Sequence, residues 1–378
     1  MNTVCPIDKC NGCHACVSVC PKNAISISED IRSYNAVIDE AKCINCQACH
    51  RVCPVEHHPD KVKNVECLQG WCLDEKIRAA SSSGGLASAL AYSFIKEGGK
   101  VCSCVFENGR FVFEIIDSVD RIDRFQGSKY VKSNPDGVYL KVKEDLTKGE
   151  KVLFIGLPCQ VDGLLHFLPS KLTNNLFTVD LICHGTPAPQ LISRFLLENG
   201  LSIKTIPNLF FRRKNKFGIE IKDFTGRLHG DFIVDKYMLA FLYGISYTEN
   251  CYACQYADVK RVSDITLGDA WGSELPKIER QRGISLALVQ SEKGAKLLRN
   301  SNVYLEPFSL ERAIQHNGQL QAPVSKTVAR EKFFSKLEKG CCLNKAVWSA
   351  LPQACLIQEM KNLCIKLGIY KMIKQCVS

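Results

Sequence analysis

Long apolar runs are missing from this sequence of 378 residues. The longest, LASALAYSFI at positions 86–95, falls short of the roughly 20 residues that a helix needs to cross a bilayer. The N-terminal stretch MNTVCPIDKC has neither the basic nor the apolar region of a secretory signal. We therefore expect a cytoplasmic protein whose thiols stay reduced.

Basic stripes interleaved with aromatic residues, which are typical of nucleic-acid binding, are also missing. The formal net charge is +10, but Lys and Arg are scattered apart from the cluster RRKNK at 212–216. Scattered charge is typical of a solvated surface, so we expect no nucleic-acid partner. The RRKNK cluster has two interpretations, contact with an anionic cofactor tail or contact with solvent.

Cysteine, in contrast, is abundant, with 22 residues. Such a count in a small secreted protein would indicate disulfides. This chain is long enough for two or three domains, and 46% of its residues are hydrophobic, so it can bury ordinary cores. We therefore interpret the cysteines mainly as metal ligands.

Two cysteine runs near the N-terminus repeat each other: CNGCHACVSVCP from Cys10 and CINCQACHRVCP from Cys43. Both have the C-x2-C-x2-C-x3-C-P spacing of bacterial ferredoxins, in which the fourth cysteine of each run ligates the other cluster. Two [4Fe-4S] clusters are therefore predicted, one on Cys10, Cys13, Cys16 and Cys53, the other on Cys43, Cys46, Cys49 and Cys20. Zinc sites are the alternative, but they do not require this spacing twice. Apolar and polar residues alternate over 23–43, which predicts a hairpin between the two cysteine runs.

A third cluster is predicted from the middle of the chain. The strand 151–157 ends at Pro158-Cys159, VDGLLHFL follows as a helix, and a second strand ends at Cys183. Such a right-handed βαβ unit brings both strand ends to one sheet edge. There they meet the pair Cys251-x-x-Cys254, giving the four thiolates of a [4Fe-4S] site. A four-thiolate zinc site and buried free cysteines are the alternatives, with Cys67 and Cys72 as rival ligands.

A Ser/Gly-rich turn precedes an apolar helix in AASSSGGLASALAYSFIKEGG at 79–99, where the final glycines end the helix. The free N–H groups and the dipole at such a helix start suit a phosphate. A well-capped helix with no ligand explains the pattern equally well.

Six stretches of the chain resemble the family of coenzyme F-420 hydrogenase/dehydrogenase beta subunits, which are iron–sulfur flavoproteins. They follow the family's order from about Ala79 to Gly294: SSSGGLASAL, GSKYVKSN, VLFIGLPCQVDGL, DLICHGTP, CYACQYADVKRVSDITLGDAWG and GISLALVQSEKG. The resemblance implies an FAD beside a cysteine-ligated [4Fe-4S] cluster. It also implies hydride exchange with a small molecule, which in the family's namesake is the deazaflavin coenzyme.

The resemblance further implies which residues lie at the flavin. The residues it brings to the flavin, its phosphates and the pocket around them are Ser82, Ser83, Gly84, Gly85, Gly127, Ser128, Lys129, Tyr130, Asp264, Gly268 and Asp269. Lys129 and His184 are the candidates for catalysis through proton delivery. The positive charge of Lys129 is also expected to stabilise negative charge on the reduced flavin. An exposed lysine and a structural histidine are the alternatives.

The predicted fold class combines α+β and α/β parts. A small ferredoxin-like domain covers 1–57, a connector 58–78, a mixed α/β domain for FAD and a [4Fe-4S] cluster 79–325, and a helical extension 326–378. The basic, apolar helix at the end of this extension is expected to pack on its own domain. Docking on a membrane surface or on a partner is the alternative.

The predicted function is that of an oxidoreductase. A ferredoxin or another redox protein exchanges electrons with the clusters, and FAD exchanges hydride with a deazaflavin or another organic substrate, in either direction. One alternative is a ferredoxin-dependent reductase of a biosynthetic intermediate, since relatives in plants and cyanobacteria reduce chlorophyll-type pigments. The other is a non-catalytic electron-relay subunit of a larger complex.

Overall fold

The structure, a computed structural model, describes residues 2–57, 60–63, 65–222, 228–229 and 234–367. Its N-terminal part is a hairpin between two short helices: α1 (Ala15–Val19), β1 (Ile25–Glu29), β2 (Tyr34–Ile38) and α2 (Ala48–Arg51). The strands pair antiparallel, as the alternation between the cysteine runs predicts. Apolar residues on one face of this hairpin pack against the cysteine-bearing loops.

The two cysteine runs share one backbone conformation. His14 and Gln47 precede α1 and α2 at matching positions, and both are left-handed, with φ of 61° and 59°. Gly12 and Asn45 also match, with φ of 69° and 54°. Glycine and asparagine tolerate this region better than most residues. The sequence repeat is thus a structural repeat, with two left-handed turns wrapping each run into a tight loop.

A mixed sheet of eight strands forms the centre of the molecule. Its strands are β3 (Glu66–Cys72), β4 (Lys100–Glu107), β5 (Arg110–Ile116), β6 (Val152–Gly156), β7 (Leu176–Leu181), β11 (Ile265–Asp269), β12 (Ser285–Val289) and β13 (Val303–Pro307). Their order is β13-β3-β12-β11-β7-β6-β4-β5. The four strands β11, β7, β6 and β4 run parallel, so their carboxyl ends meet at one edge.

A smaller antiparallel sheet lies beside it, made of β8 (Asn208–Arg213), β9 (Lys216–Lys222) and β10 (Leu228–His229). The remaining helices are α3 (Glu75–Ala80), α4 (Leu86–Lys96), α5 (Val138–Thr147), α6 (Pro158–Phe167), α7 (Pro189–Glu198), α8 (Lys236–Leu242), α9 (Lys277–Arg282), α10 (Glu292–Arg299), α11 (Leu310–His316), α12 (Val328–Glu338), α13 (Leu343–Ala350) and α14 (Pro352–Lys366). None of the helices within the described ranges has the length and apolarity to cross a membrane.

The βαβ unit expected from the sequence is present. Every residue of β6 is buried, α6 begins at Pro158 directly after it, and β7 returns parallel to β6. Proline suits this first helical position because its missing N–H would have no intrahelical partner there. Cys159 therefore lies in the first turn of α6, and Cys183 lies just beyond the end of β7.

The segment interpreted as a connector, 58–78, contains the strand β3, which pairs with β12 and β13 inside the large sheet. Its sequence ECLQGWC contains no continuous apolar run, so the sequence pattern does not predict a buried strand here. Gly70 lies where β13 approaches closely, since a Cβ at this position would stand 1.9 Å from the carbonyl oxygen of Tyr304. Residues 66–72 thus belong structurally to the mixed α/β part of the chain.

Residues 326–367, the described part of the predicted extension, contain the helices α12, α13 and α14, and 368–378 lie outside the described residues. The helices α12 and α13 bury Phe333, Phe334 and Val347 in the same core as α7 and α8. The helix α14 instead leaves Leu356 and Met360 exposed. The first two helices are therefore an integral part of the mixed α/β body.

Candidate functional site

The cysteines predicted for the first N-terminal cluster are all buried. We call Cys10, Cys13, Cys16 and Cys53 the inner group. Cys13 packs so closely on α6 that a Cβ added to Gly163 would lie 2.8 Å from the Cβ of Cys13. Cys5, which the spacing does not predict as a ligand, is buried in the same cluster of side chains as Cys10 and Cys53. The inner group thus lies between the hairpin and the βαβ unit.

The cysteines predicted for the second N-terminal cluster surround a cavity of about 350 Å³ near the surface. We call Cys20, Cys43, Cys46 and Cys49 the outer group, in which Cys46 is exposed. Backbone N–H groups donate to two of the sulfurs, from Asn45 to Cys43 at 3.4 Å and from Ala24 to Cys20 at 3.3 Å. Such bonds to cluster sulfurs are one of the means by which proteins set reduction potentials.

The third predicted set of cysteines lines one small cavity of about 110 Å³. We call Cys159, Cys183, Cys251 and Cys254 the third group. The turn that carries Cys251 follows Thr248, whose Oγ1 lies 3.5 Å from the Cys251 Sγ. The rival ligands Cys67 and Cys72 do not line this cavity, because both lie on β3.

Burial and mutual repulsion act on the thiols of the third group. Burial raises the pKa of Cys183 to about 12, and the charges of Cys251 and Cys254 act in the same direction. Burial likewise raises the pKa of Cys159 well above its usual value. A metal centre would relieve this repulsion, because thiolate sulfur is a ligand for both zinc and iron–sulfur clusters.

A single metal ion needs its ligands close together, and the described residues contain no set of three or more His, Cys, Asp or Glu that could hold one. Zn–S bonds of about 2.3 Å bring tetrahedral sulfurs within about 4 Å of each other. A cubane has an iron at each of four corners and binds one cysteine at each, so its ligands stand further apart. The outer and third groups each place four cysteines around one cavity, and the inner group has four cysteines with the ferredoxin spacing, so the donor set of each group fits a cubane.

A larger cavity of about 420 Å³ lies at the carboxyl edge of the parallel strands. Its floor comes from the middle of β4 and the ends of β6, β7 and β11, as expected for an open α/β sheet. Aromatic side chains form much of its wall, and they are Phe113, Phe125, Tyr130, Phe217, Phe241 and Trp271. The volume is within the range of about 300–1,000 Å³ typical of small-molecule sites.

The Ser/Gly turn borders this cavity and leads into α4. Gly85 precedes the helix at φ 90° and, having no side chain, cannot cap its first turn. The first-turn residues therefore face the cavity with backbone N–H groups that suit an anion. The hydroxyl of Ser83 donates to the carbonyl oxygen of Ile284, and that of Ser82 accepts from the N–H of Ser128. These two serines hold the turn in place as well as lining the cavity.

Gly84, unlike its neighbours, does not line the cavity. Its N–H donates to the Ser285 hydroxyl at 2.9 Å, and a Cβ here would lie 2.5 Å from the carbonyl oxygen of Gly70. The glycine thus lets the turn lie directly on the sheet. Its role is to seat the neighbouring residues rather than to contact a ligand.

The GSKY stretch lines the wall next to this turn, with Gly127, Ser128, Lys129 and Tyr130 all at the cavity. The Lys129 ammonium donates to the carbonyl oxygens of Phe125 and Gln126 at 3.0 and 3.1 Å. Burial lowers the pKa of Lys129. This lysine is therefore already engaged with the backbone and differs from the exposed lysine of the alternative interpretation.

Gly268 and Asp269 end β11 at the cavity, whereas Asp264 precedes that strand and lies away from it. The Asp264 carboxylate accepts from the Thr178 N–H at 2.8 Å and from the Ser291 hydroxyl at 2.6 Å. It therefore joins β7 to the start of α10. Asp269 instead holds the Arg212 guanidinium through two hydrogen bonds of 2.7 Å.

The third-group cavity and the large cavity share a wall. Leu157, Cys183, His184, Gly185 and Thr186 line both. The enclosure of the His184 ring lowers its pKa, so the imidazole is neutral at pH 7. A single short stretch after β7 therefore brings a cysteine and a titratable ring to both cavities.

The residues at these cavities that the sequence prediction does not name include Arg212, Trp271 and Lys132. Arg212 was signalled by the RRKNK cluster, whose alternative interpretation was contact with an anionic cofactor tail. Its guanidinium lies over the rings of Phe217 and Trp271, at 5.0 and 5.6 Å from their centroids. No spacing rule points to Lys132, because its importance depends on which loops meet around it.

Two parts of the chain match known protein families. Residues 149–310 match the family model for the C terminus of the coenzyme F420 hydrogenase/dehydrogenase beta subunit, and residues 9–57 match that of a 4Fe-4S dicluster domain. The chain is 24% identical over 298 residues to the F subunit of F(420)H(2) dehydrogenase from Methanosarcina mazei, covering 72% of this chain and 80% of that protein.

A solved structure is similar in fold. It is a chain of the F420-reducing [NiFe] hydrogenase complex from Methanosarcina barkeri, with a TM-score of 0.50 and 17% identity, covering 74% of this chain and 95% of that one. The resemblance drawn from the sequence motifs is confirmed by these matches. Residues 149–310 of the chain are thus similar to the C terminus of the coenzyme F420 hydrogenase/dehydrogenase beta subunit, and residues 9–57 are similar to a 4Fe-4S dicluster domain.

Proposed function

We propose that the protein is an iron–sulfur flavoprotein oxidoreductase that exchanges electrons with a redox protein and hydride with a deazaflavin or a related organic substrate. The observation that carries this proposal is the shared wall between the third-group cavity and the large cavity. A site for single electrons and a site for a planar two-electron cofactor would stand side by side. A bound flavin supplies the exchange between one-electron and two-electron chemistry.

The residues of the large cavity fit FAD. The helix start at Gly85 offers N–H groups to a pyrophosphate, and the aromatic walls suit a planar ring system. Arg212 adds a buried cation at the same cavity. Lys129 and Asp269 would fix the walls through their bonds to the backbone and to Arg212.

The three cysteine groups suggest a direction through the molecule. The outer group is near the surface, the inner group is buried, and the third group adjoins the large cavity. An external redox protein would therefore meet the outer group first. His184, neutral at the wall of the large cavity, can accept one proton and donate another there.

The test is a stoichiometric reaction under anaerobic conditions. The purified protein is mixed with one equivalent of the reduced deazaflavin coenzyme, and flavin and coenzyme absorbances are followed together. Bleaching of the flavin matched by oxidation of the coenzyme is the expected result. In the variant Cys254→Ser, the flavin is still expected to bleach while the clusters of the N-terminal part remain oxidised.

Two other results would favour the alternatives. A coenzyme that stays reduced, in a protein whose flavin and clusters accept electrons from dithionite, favours a reductase of another intermediate. A chain that co-purifies with a large partner and has no turnover alone favours a relay subunit. The curated relative is itself named as a subunit, which supports carrying this second alternative.

A further inference from the structure

Lys132 is a buried lysine between two of the cysteine groups. Its relative exposure is 5%, and its backbone N–H donates to the carbonyl oxygen of Pro187 at 2.8 Å. Its ammonium donates to the carbonyl oxygen of Asn11 at 3.2 Å and to the Asn250 Oδ1 at 3.5 Å. It also lies 5.2 Å from the ring centroid of Tyr34. The backbone and the ring fix the ammonium in one place.

Both hydrogen-bond partners of this ammonium adjoin cluster cysteines. Asn11 directly follows Cys10 of the inner group, and Asn250 directly precedes Cys251 of the third group. Lys132 also lines the third-group cavity, together with all four of its cysteines. The ammonium is therefore the point at which the surroundings of these two groups meet.

The charge of Lys132 has no carboxylate partner anywhere in the described part of the chain. A buried cation is costly unless a charge of opposite sign compensates it. A cubane with four sulfides and four cysteine thiolates carries net negative charge. Clusters on the inner and third groups would therefore supply the compensation that the protein itself does not.

We propose that the ammonium of Lys132 raises the reduction potentials of both the inner and the third cluster. For the third cluster this rests on the function proposed above, whereas for the inner cluster it rests on the ferredoxin-type repeat alone. Each cubane takes up one electron from its reductant and becomes one unit more negative. A fixed positive charge nearby stabilises that reduced form.

The consequence is a downhill step from the surface inward. The outer group lies at a separate cavity that Lys132 does not line. Its cluster lacks this buried charge, and Lys22 at the outer cavity is exposed, so solvent and salt screen it. Lys132 therefore lowers the free energy of an electron on the inner and third clusters relative to the outer cluster. Lys132 would thus favour transfer toward the large cavity without contacting any reacting atom.

The test compares Lys132→Gln with Lys132→Arg in anaerobic redox titrations followed by EPR. Cluster signals are assigned with Cys46→Ser for the outer group and Cys254→Ser for the third group. In Lys132→Gln, the ratio of reduced to oxidised inner and third clusters at a fixed potential should fall at least tenfold, about 59 mV for one electron. The reduction potential of the outer cluster should not change. In Lys132→Arg, the potentials of the inner and third clusters should stay close to those of the unsubstituted protein.

A reciprocal control is Lys22→Gln, since Lys22 lines the outer cavity. It is expected to leave the inner and third potentials unchanged. Unshifted inner and third clusters in Lys132→Gln, or an equal shift in Lys132→Arg, would overturn the proposal. If the unsubstituted protein holds only two clusters, the third-cluster assignment fails, but the inner cluster still decides the role of Lys132.

If Lys132→Gln does not assemble its clusters, Lys132→Met serves as a second neutral variant, because its unbranched side chain preserves packing on Tyr34. Loss of the inner cluster in both neutral variants, with retention in Lys132→Arg, supports a requirement for the charge. Loss of the inner cluster in all three variants shows that shape rather than charge matters at this position and contradicts the proposal.

Discussion

Arg212 and Asp269 illustrate how single residues shape the large cavity. The two side chains are 5% and 19% exposed, and their paired hydrogen bonds fix the guanidinium against two aromatic rings. Asp269→Asn removes the charge while keeping the size. Breaking a buried ion pair from one side costs about 3–5 kcal/mol, because the remaining charge is uncompensated.

We therefore expect Asp269→Asn to lower the thermal unfolding midpoint clearly, as measured by circular dichroism under anaerobic conditions. Glu144→Gln is the matched control, since Glu144 pairs with Lys148 in the open, with side chains 65% and 59% exposed. That control should leave the midpoint unchanged, as is usual for surface pairs. Equal midpoints for the two variants would refute the burial argument.

Lys214 gives a residue-scale prediction about pH. Burial, with help from the charges of Arg78 and Arg212, lowers its pKa from 10.5 to about 8. Between these values the unfolded chain binds more protons than the folded one, so this lysine's contribution to stability increases as pH rises. Below about pH 8 the lysine is charged in both the folded and the unfolded state, so the full free-energy cost of burying its charge opposes folding.

The measurement is the unfolding midpoint of the unsubstituted protein and of Lys214→Met from pH 7 to pH 10. The stability of the unsubstituted protein relative to the variant should increase as pH rises above about 8. A difference that stays constant over this range, or decreases, would show that the lysine is not held in an unfavourable site.

At the scale of elements, the contact between α6 and the inner group joins the N-terminal part to the sheet. A Cβ at Gly163 would lie 2.8 and 2.9 Å from the Cβ and Sγ of Cys13. Gly163→Ala must therefore displace either the helix or the cysteine. We expect this variant to lose the inner cluster, about four irons, while the outer cluster remains.

Iron analysis together with EPR checks this prediction. Gly318→Ala is the control, because an added Cβ there meets no atom within 4 Å. It should keep its full iron content. Full iron content in Gly163→Ala as well would mean that the contact between α6 and Cys13 is not needed to hold the inner cluster.

Local patterns predicted the elements whose signal is contained in one short stretch. The alternation over 23–43 gave the hairpin, and the apolar run of β6 followed by Pro158 gave the βαβ unit. The strand β3 was missed because its polar residues are stabilised by strands distant in sequence, as Gln69 is by Glu306 at 2.7 Å. Pairing with distant strands leaves no local periodicity to detect.

Some residues of the candidate site are likewise predicted by local patterns, and others are not. Spacing rules and parallel-strand logic named the four cysteines that share the third-group cavity. Family motifs named Asp264 alongside Asp269, although only the latter reaches the large cavity. Arg212, on β8, and Lys132 acquire their roles from segments that meet only in the folded chain. Which motif residues face a ligand, and which hold the walls, depends on side-chain partners that no single stretch contains.

At the scale of the whole molecule, three cysteine groups and one large cavity form a continuous arrangement from the surface to the sheet edge. The outer group is accessible, Cys13 of the inner group contacts α6, and Cys183 of the third group borders the large cavity. The helices α12 and α13 close the core behind this arrangement. The central claim is that this one chain holds three cubanes and a flavin.

The most direct test is the content of iron, acid-labile sulfide, zinc and released flavin per chain in the protein purified without oxygen. Our account predicts about twelve irons and twelve sulfides with one FAD. The variant Cys254→Ser should lose about four irons and keep the rest. About eight irons in the unsubstituted protein, with zinc or no metal at the third group and no flavin, would contradict the account and leave only a two-cluster electron carrier.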